Sequence, residues 1–293
     1  MKDMFGYKDK ICVITGASSG MGLETTKMLV DLGAKVYALD LNECKVEGIE
    51  KFIKCNLASK DDIDKAFDSI PNKIDSFFGN AGLSGSKTDY LTTFNCNFTA
   101  NFYITNEYLT KRMENGGSIL YVTSAAGLNW EKFIKEEHKM VYATSWDEVQ
   151  KLIAPLAKKS PSTFAYMYSK RCLSYFSAKA ASEFGKKGIR VNNVMPGSTD
   201  TGMKDEFEKM AGGHDALVSS AGLAGRLADS KEMANCMIFL NSNMASFVSG
   251  IDFVVDYSDL AMKKIGIKKD IANVSATNPL IIAIAKRMMN KQK

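Results

Sequence analysis

The sequence predicts an α/β fold with a doubly wound, parallel, seven-stranded sheet and helices on both of its faces. Short apolar runs typical of buried strands alternate with amphipathic helical patterns over most of the chain. A glycine-rich turn at residues 16–22 joins the first strand to the first helix, and the acidic residue Asp40 ends the second strand. Together these observations predict a Rossmann-type, dinucleotide-binding domain.

The first strand, residues 10–15, and the second, residues 35–40, flank a helix that Gly33 ends. Glycine in the intervening turn permits a tight bend and lets backbone N–H groups approach a pyrophosphate at the helix N-terminus. The turn reads Thr15, Gly16, Ala17, Ser18, Ser19, Gly20, Met21 and Gly22. A tight turn without a ligand is the alternative, and the acid that follows favours the cofactor site.

Asp40 is placed to select the cofactor. A carboxylate at the end of the second strand accepts hydrogen bonds from the ribose hydroxyls of adenosine and repels a 2′-phosphate. Ala17, Ser18 and Ser19 offer no positive charge to hold such a phosphate, whereas Lys45 is a nearby charge that weakens this argument. The sequence therefore predicts NAD (NADH in the reducing direction) over NADP.

The alternation of strands and helices continues to about residue 260. Residues 41–48 are too few for a crossover helix, so we expect a loop or a single turn there. Predicted strands cover residues 49–55, 74–80, 118–124, 190–195 and 253–256, and predicted helices cover residues 60–70, 91–115, 164–184 and 231–240. Because ligands of open α/β sheets bind at the carboxyl ends of strands, Asn56, Asn80 and Ser124 are candidate site residues.

Three segments depart from this alternation. Residues 128–163 predict a charged helical insertion, and the Gly- and Ser-rich residues 203–225 predict a mobile flap over a site. Residues 1–260 are expected to form a single domain, followed by a basic extension, residues 261–293, whose amphipathic helix begins near Pro279. For this extension, packing on the body or on a partner subunit is favoured over a membrane-surface role.

Charge and cysteine usage exclude several classes of protein. The extension carries eight basic residues against one acid, whereas the rest of the chain has 30 basic and 32 acidic residues. A near-neutral body argues against nucleic-acid binding, which needs concentrated positive charge. Six cysteines without CxxC spacing and only two histidines predict no metal site and fit a reducing cytoplasm. Stable membrane insertion is not expected, because no apolar stretch approaches the roughly 18 residues of a membrane span.

Two Tyr–Lys pairs at four-residue spacing, Tyr166 with Lys170 and Tyr175 with Lys179, lie on the predicted helix of residues 164–184. Residues four apart share one helix face, and an ammonium beside a phenol favours the phenolate. Such a tyrosine has a pKa below its reference value near ~10 and becomes usable as an acid or base near neutrality. The nine residues between the pairs place them on opposite sides of the helix, so at most one pair serves a site.

Several motifs occur in the order typical of one family, and together they resemble the short-chain dehydrogenase/reductase family over roughly residues 8–260. They are TGASSGMG, Asn80-Ala81-Gly82, Asn97, Ser124, Tyr166-x-x-x-Lys170 and the turn PGSTDT that begins at Pro196. Tyr166 precedes Pro196 by thirty residues, the family's usual separation, whereas Tyr175 precedes it by twenty-one. Register with the family therefore selects Tyr166 and leaves Tyr175 and Lys179 as a packing or surface pair.

The resemblance implies roles for the matching residues. Tyr166 is the acid/base, and Lys170 lowers its pKa and bonds the nicotinamide ribose. Ser124 positions the substrate oxygen, and Asn97 anchors a water in a proton relay. The implied cofactor-binding residues are Gly16, Ser18, Ser19, Gly20, Met21, Gly22, Asp40, Leu41, Asn56, Leu57, Asn80, Ala81, Gly82, Tyr166, Lys170, Pro196, Gly197, Thr199 and Thr201, and the substrate-binding residues are Ser124, Tyr166, Met203 and Phe207.

The insertion separates Ser124 from Tyr166 by 42 residues, more than in most family members. With this insertion and the short second crossover, the chain resembles the bacterial 3α-hydroxysteroid dehydrogenase/carbonyl reductase subgroup. That resemblance implies NAD-dependent interconversion of a secondary alcohol and a ketone on a steroid or bile acid. It also implies a homodimer or homotetramer that pairs away from the usual helix-to-helix surface. A broader carbonyl reductase or secondary-alcohol dehydrogenase is the same-class alternative, and a non-catalytic cofactor-binding protein is the alternative from another class.

Overall fold

The computed structural model describes residues 3–269 and 274–290. Within those residues, nine strands form. They are β1 (Ile11–Thr15), β2 (Lys35–Asp40), β3 (Lys51–Lys54), β4 (Ser76–Gly79), β5 (Ser118–Val122), β6 (Arg190–Pro196), β7 (Thr199–Asp200), β8 (Ala228–Asp229) and β9 (Asp252–Val255).

Seven of these strands form one sheet in the order β3-β2-β1-β4-β5-β6-β9, and every neighbouring pair is parallel. The strand order reverses direction between β1 and β4, which is where open α/β sheets form a crevice at the carboxyl ends of their strands. The predicted doubly wound α/β fold with seven parallel strands is confirmed.

Helices cover both faces of the sheet. They are α1 (Gly20–Asp31), α2 (Lys60–Asp68), α3 (Tyr90–Phe94), α4 (Ala100–Ile104), α5 (Thr110–Arg112), α6 (Ile134–Val141), α7 (Trp146–Lys159), α8 (Ser162–Phe184), α9 (Lys204–Ala211), α10 (His214–Ser219), α11 (Ser230–Asn241), α12 (Asp259–Lys264) and α13 (Pro279–Asn290). One apolar core contains Leu29 of α1 and Met237 of α11, and the other contains Phe98, Phe102 and Phe176. None of the helices described is long and apolar enough to cross a bilayer.

The long helix predicted for residues 91–115 is divided in the structure. Two π-helical stretches, Asn95–Thr99 and Thr105–Leu109, join α3, α4 and α5. Side chains bond to backbone carbonyls inside this run, since Asn101 Nδ2 donates to Asn97 O at 3.1 Å and Thr105 Oγ1 to Asn101 O at 2.6 Å. Such bonds compete with the regular helical ladder, and π-helical turns are frequent at functional sites.

Other elements differ from the predictions at their ends. The strands β4 and β5 end at Gly79 and Val122, short of their predicted ends at residues 80 and 124. The two-residue strands β7 and β8, which pair with each other, and the short helix α12 were not predicted. α12 runs across position 260, and the division of the chain into a domain and an extension there stays a prediction.

The predicted helical insertion is present as α6 and α7. Trp146 is buried, with its ring 5.7 Å from that of Tyr103 in an edge-on arrangement. Asn95 and Gln150 exchange two hydrogen bonds, at 3.1 and 2.7 Å. The insertion therefore covers the outer surface of the helices that follow β4.

The extension returns to the body at residues 274–277. Ala276 is fully buried in the same core as Phe176, and Val274 O accepts a hydrogen bond from Arg171 at 2.9 Å. The hydroxyls of Ser275 and Thr277 both donate to Glu136 Oε2, on α6 of the insertion, at 2.8 Å. The acidic residue of the extension, Asp270, lies outside the described residues.

Candidate active site

Two adjoining cavities open at the carboxyl ends of the central strands. The larger, with an empty volume of about 1300 Å³, extends from the glycine turn to the end of β2. The smaller, of about 730 Å³, lies against α8 and the flap. The residues that line both cavities mark where they meet, and they are Met21, Asn80, Gly82, Thr201 and Met203.

Tyr166 and Ser124 meet in the smaller cavity. Tyr166 comes from α8 and Ser124 from the turn after β5, and their hydroxyl groups lie near each other in this cavity. Ser124 Oγ also accepts a bond from Ala126 N at 3.1 Å, which fixes the orientation of the serine. Two hydroxyl groups held in this way converge where a substrate oxygen can accept a hydrogen bond from each.

Burial decides the protonation of the Tyr166 phenol. Burial raises the pKa of Tyr166, and the nearby Ser124 hydroxyl offsets only part of the rise. The sequence predicts a lowered pKa, but Lys170 Nζ lies 5.7 Å from the Tyr166 ring centroid and donates to Val122 O at 2.7 Å. Burial also lowers the pKa of Lys170 to about 8. Tyr166 is therefore a protonated phenol at neutral pH, the form that donates a proton.

Asn97 is buried behind the site, in the first π-helical stretch. Its Oδ1 accepts from Leu83 N at 2.8 Å, and its Nδ2 donates to Leu83 O at 3.0 Å and to Ser169 Oγ at 3.1 Å. Gly82 lies next to both groups, since a Cβ at this position would be 3.4 Å from Lys170 Nζ and 3.5 Å from Asn97 Oδ1. The side chain of Asn97 thus fixes the loop after β4, and its water-anchoring role stays a prediction.

The glycine turn packs too tightly for side chains. Gly16 has φ +68°, and a Cβ on Gly22 would stand only 1.9 Å from Gly16 O. α1 can therefore begin directly against the turn, with Ser19 and Gly20 of its N-terminus facing the larger cavity. A helix N-terminus in this position favours a phosphate group, because its N–H groups are free to donate.

Asn80 both holds the turn and leaves an acceptor at the site. Its Nδ2 donates to Thr15 O at 3.2 Å and to Gly16 O at 3.1 Å. Among the described residues, its buried Oδ1 has no hydrogen-bond partner. A buried acceptor without a partner costs free energy unless a ligand donates to it. This orphan acceptor and the glycine turn fit a nicotinamide dinucleotide, which carries ribose hydroxyl donors.

Asp40 lines the far end of the larger cavity. Its Oδ2 accepts from Ser18 N and its Oδ1 from Asn42 N, both at 3.0 Å. These bonds fix the carboxylate and leave lone pairs on both oxygens for hydroxyl donors. Lys45 is exposed and does not line this cavity.

The flap closes the smaller cavity. Phe207, on α9, places its ring 5.5 Å from that of Tyr166 in an edge-on arrangement. Met203 and Leu217 add further apolar surface. The flap therefore gives the smaller cavity an apolar lining beside Ser124 and Tyr166.

Most of the predicted residues line these cavities. The larger one is lined by Gly16, Ser19, Gly20, Met21, Asp40, Leu41, Asn56, Leu57, Asn80, Ala81, Gly82 and Thr201. The smaller one is lined by Ser124, Tyr166, Lys170, Pro196, Gly197, Thr199, Met203 and Phe207. Ser18, Gly22 and Asn97 line neither: Gly22 and Asn97 are buried behind the cavities, and Ser18 bonds Asp40 from outside.

Some lining residues have no counterpart among the predictions. Val122 accepts a hydrogen bond from Lys170 through its carbonyl. It is the last residue of β5, so its place at a strand end could have marked it as a site residue. Leu217 lies within the predicted flap. Thr88, Thr92 and Cys96 line the larger cavity from the region where β4 leads into the divided helix, and no motif marks them.

The second Tyr–Lys pair lies elsewhere on α8. The Tyr175 ring stacks on Trp130 at 5.3 Å, and Lys179 pairs with Glu183 at 3.0 Å. Neither residue lines the two cavities. The pair packs against the insertion and the surface.

Comparison with known proteins identifies relatives over most of the chain. A family model described as short chain dehydrogenase matches residues 10–163, and one described as enoyl-(acyl carrier protein) reductase matches residues 153–257. A coniferyl-alcohol dehydrogenase from a Pseudomonas species is 30% identical over 85% of this chain and 95% of its own length. A cyclohexanol dehydrogenase from an Acinetobacter species is 27% identical over 85% of this chain and 94% of its own length.

Solved structures show the same fold. A 3-alpha-hydroxysteroid dehydrogenase from Pseudomonas sp. B-0831, complexed with NADH, aligns with a TM-score of 0.72 over 87% of this chain and 99% of its own, at 18% identity. The matched family is one of oxidoreductases that act on CH–OH groups with NAD or NADP. The chain belongs to the short-chain dehydrogenase family.

Proposed function

We propose that this chain is an NAD-dependent dehydrogenase that interconverts a secondary alcohol and a ketone on a steroid or bile acid, 3α-hydroxysteroids first among them. The observation that supports this type of reaction is that Ser124 and Tyr166 lie together in the smaller cavity, which adjoins the larger one. Lys170 lies next to them, with its Nζ 5.7 Å from the centroid of the Tyr166 ring. The catalytic roles of Asn97, Ser124, Tyr166 and Lys170 are part of this proposal.

Proton transfer is the task of the protein side chains. In reduction, Tyr166 donates its phenolic proton to the carbonyl oxygen, which Ser124 holds by a second hydrogen bond. In oxidation, Tyr166 takes the proton back from the alcohol. The residues of the larger cavity would hold the nicotinamide cofactor, which would supply or accept the hydride. One hydride and one proton are thus exchanged in each turnover.

Replacing Tyr166 tests the acid/base assignment. Tyr166→Phe removes the transferable proton and leaves the ring that contacts Phe207 in place. We expect kcat/KM to fall by about 10²–10⁴-fold, the usual contribution of a positioned acid. Tyr175→Phe, which changes the other tyrosine of the two pairs, serves as the matched control. Undiminished turnover by Tyr166→Phe would contradict the assignment.

The preference for NAD rests on Asp40. Its fixed carboxylate suits ribose hydroxyls and repels a 2′-phosphate. In Asp40→Ala we expect the ratio of kcat/KM for NADH to that for NADPH to fall by about tenfold or more, because a close like-charge contact is removed. Asp31→Ala, at the other end of α1, removes an equal charge as a control. An unchanged ratio in Asp40→Ala would count against NAD selection by this residue.

The substrate class rests on the apolar flap. Met203, Phe207 and Leu217 line the smaller cavity together with Ser124, and this apolar lining suits a rigid hydrophobic ring system. The broader alternative is a secondary-alcohol dehydrogenase or carbonyl reductase, favoured by the cyclohexanol dehydrogenase relative. A panel of bile acids, androgens and simple ketones, assayed with NADH and NADPH by nicotinamide absorbance, separates these alternatives.

The same panel tests the alternative from another class, a non-catalytic cofactor-binding protein. That alternative predicts NADH binding without turnover of any substrate.

The proposal also includes a cytoplasmic location and a homodimer or homotetramer, in line with the free cysteines and with the insertion that covers the helices after β4. Size-exclusion chromatography with light scattering measures the oligomeric state.

A further inference from the structure

Three hydrogen-bond donors converge on the carboxylate of Glu206, which lies on α9 of the flap. Ser84 Oγ donates to it, Ser86 Oγ donates at 2.5 Å, and Lys87 Nζ forms an ion pair at 3.0 Å. The Glu206 side chain is only 14% exposed. Burial raises the pKa of this carboxyl, but the bonds from its three partners outweigh burial and hold the pKa below its ordinary value.

The three donors belong to one short loop, residues 83–88, which we call the rim loop. Hydrogen bonds connect this loop to α8 and to the π-helical stretch that contains Asn97. Asn97 bonds the backbone N and O of Leu83, and Ser162, the first residue of α8, donates to Gly85 O at 2.6 Å. The rim loop is therefore a fixed part of the site, and the flap is the part that can move against it.

The flap has its own small apolar cluster, formed by Phe207, Leu217, Val218, Ala221 and Leu227, separate from the two main cores. Among the described contacts of α9, Lys204 reaches Asp200 at the base of the flap and Glu208 bonds His214 within it. Glu206 is thus the polar link from α9 to the rim loop in the described part of the chain. The C-terminal part of the flap has other bonds to the body, from Leu223 N to Tyr257 O at 2.9 Å and from Lys268 Nζ to Ser219 O at 3.1 Å, so loss of the Glu206 link would loosen α9 and not the whole flap.

Residues on both sides of the Glu206 link line the larger cavity. Gly202 and Met203 line the larger cavity on the flap side, and Leu83 and Thr88 of the rim loop line it too. The residue after Glu206, Phe207, covers Tyr166. A ligand lying from Asn80 toward Tyr166 would therefore lie between the flap and the rim loop, and separating the two would widen its way out.

We propose that Glu206 is a positioning residue that clasps the flap to the rim loop and so sets the rate at which the nicotinamide cofactor leaves. The inference rests on the proposed cofactor site. Glu206 touches no reacting atom; it acts by keeping Met203 and Phe207 over the cleft. Breaking the clasp should speed release of the cofactor and leave the proton-transfer residues in place.

Cofactor release is measured by stopped-flow fluorescence of bound NADH, chased with excess NAD⁺. In Glu206→Ala we expect NADH to dissociate about tenfold faster or more, since charge-assisted hydrogen bonds to one carboxylate are lost. KM for NADH rises in parallel, while kcat at saturating NADH does not fall. Asp205→Ala, an exposed acid on the same helix, is the matched control and should match the wild type.

A charge swap separates the clasp from a general loss of packing. Lys87→Glu alone and Glu206→Lys alone should each speed NADH release, and the double variant should recover part of the wild-type rate. Melting curves confirm that each variant is folded. If Glu206→Ala and both single swaps release NADH at the wild-type rate, the inference is wrong.

Limited trypsin digestion tests the clasp without any cofactor. Cleavage after Lys209, at the end of α9, should be faster in Glu206→Ala than in the wild type or in Asp205→Ala. If the wild type fails to bind NADH, the proposed function fails, and the digestion alone then decides whether Glu206 holds the flap. Equal cleavage rates in all three proteins would overturn the clasp itself.

Discussion

Lys170 shows how a single buried cation can serve the site. The residue is only 3% exposed, and its ammonium donates a hydrogen bond to Val122 O at 2.7 Å. Burial lowers its pKa to about 8, so the group changes charge close to the working pH. A positive charge on Lys170 favours the phenolate of Tyr166, and burial of Tyr166 opposes it.

The pH dependence of oxidation should report this charge. Oxidation requires deprotonated Tyr166, so kcat/KM rises with pH while the pKa of Tyr166 stays above neutrality. In Lys170→Met the rise should shift to higher pH, because the ammonium no longer favours the phenolate. The difference should be largest below about pH 8 and shrink above it, where Lys170 loses its charge.

Pre-steady-state rates of hydride transfer between pH 6 and 10 make this measurement, and Lys179→Met is the control. Ketone reduction, which uses the protonated phenol, should show no such rise over the same range. Identical oxidation profiles for Lys170→Met and the wild type would show that the ammonium does not tune Tyr166.

At the scale of single elements, the sequence predicted what depends on periodicity and missed what depends on side-chain bonds to the backbone. β1, β2 and α8 follow from apolar runs and helical spacing, and their observed bounds differ little from the predictions. The π-helical stretch around Asn97 depends on Asn101 and on bonds across a turn, which an amphipathic pattern does not encode. The Tyr166 pKa was missed for a similar reason, since burial is a tertiary property.

The junction of the insertion with α8 contains a buried ion pair. Glu137 and Arg171 side chains are fully buried, with Nε and Oε1 3.0 Å apart, in an ionic contact that falls short of hydrogen-bond geometry. The Arg171 guanidinium also lies 3.9 Å from the centroid of the Phe133 ring. Removing one partner of such a pair leaves an uncompensated buried charge, whereas removing both does not.

A double-mutant cycle on this pair tests its role in joining the two elements. Glu137→Leu and Arg171→Met should each lower the free energy of unfolding by about 3 kcal/mol. The double variant should lose clearly less than the sum, because no lone charge stays buried. Burial raises the pKa of Glu137 to about 8, so urea unfolding followed by circular dichroism at pH 9, where Glu137 is ionised, gives the four free energies. Additive losses would mean that the two charges are not coupled.

For the whole molecule, the strand order and the place of the site followed from the sequence because parallel α/β sheets put their ligands at strand carboxyl ends. The clasp at Glu206 did not follow, since its partners in the rim loop lie about 120 residues earlier in the chain. The sequence pattern also did not predict where residues 274–277 pack. It allowed the extension to pack either on the body or on a partner subunit. Ala276 lies in the main core, so the extension and the body share apolar packing.

This shared packing predicts that the extension belongs to the same cooperative unit as the sheet. Ala276→Arg forces a charge into a fully buried position and should cost about 3 kcal/mol, or roughly 6–12 °C in Tm for a chain of this size. Leu280→Arg, at a 68% exposed position on α13, should leave Tm near the wild-type value. Calorimetry should show a single transition in all three proteins. A wild-type Tm in Ala276→Arg would mean that the extension unfolds independently and contributes no stability to the catalytic body.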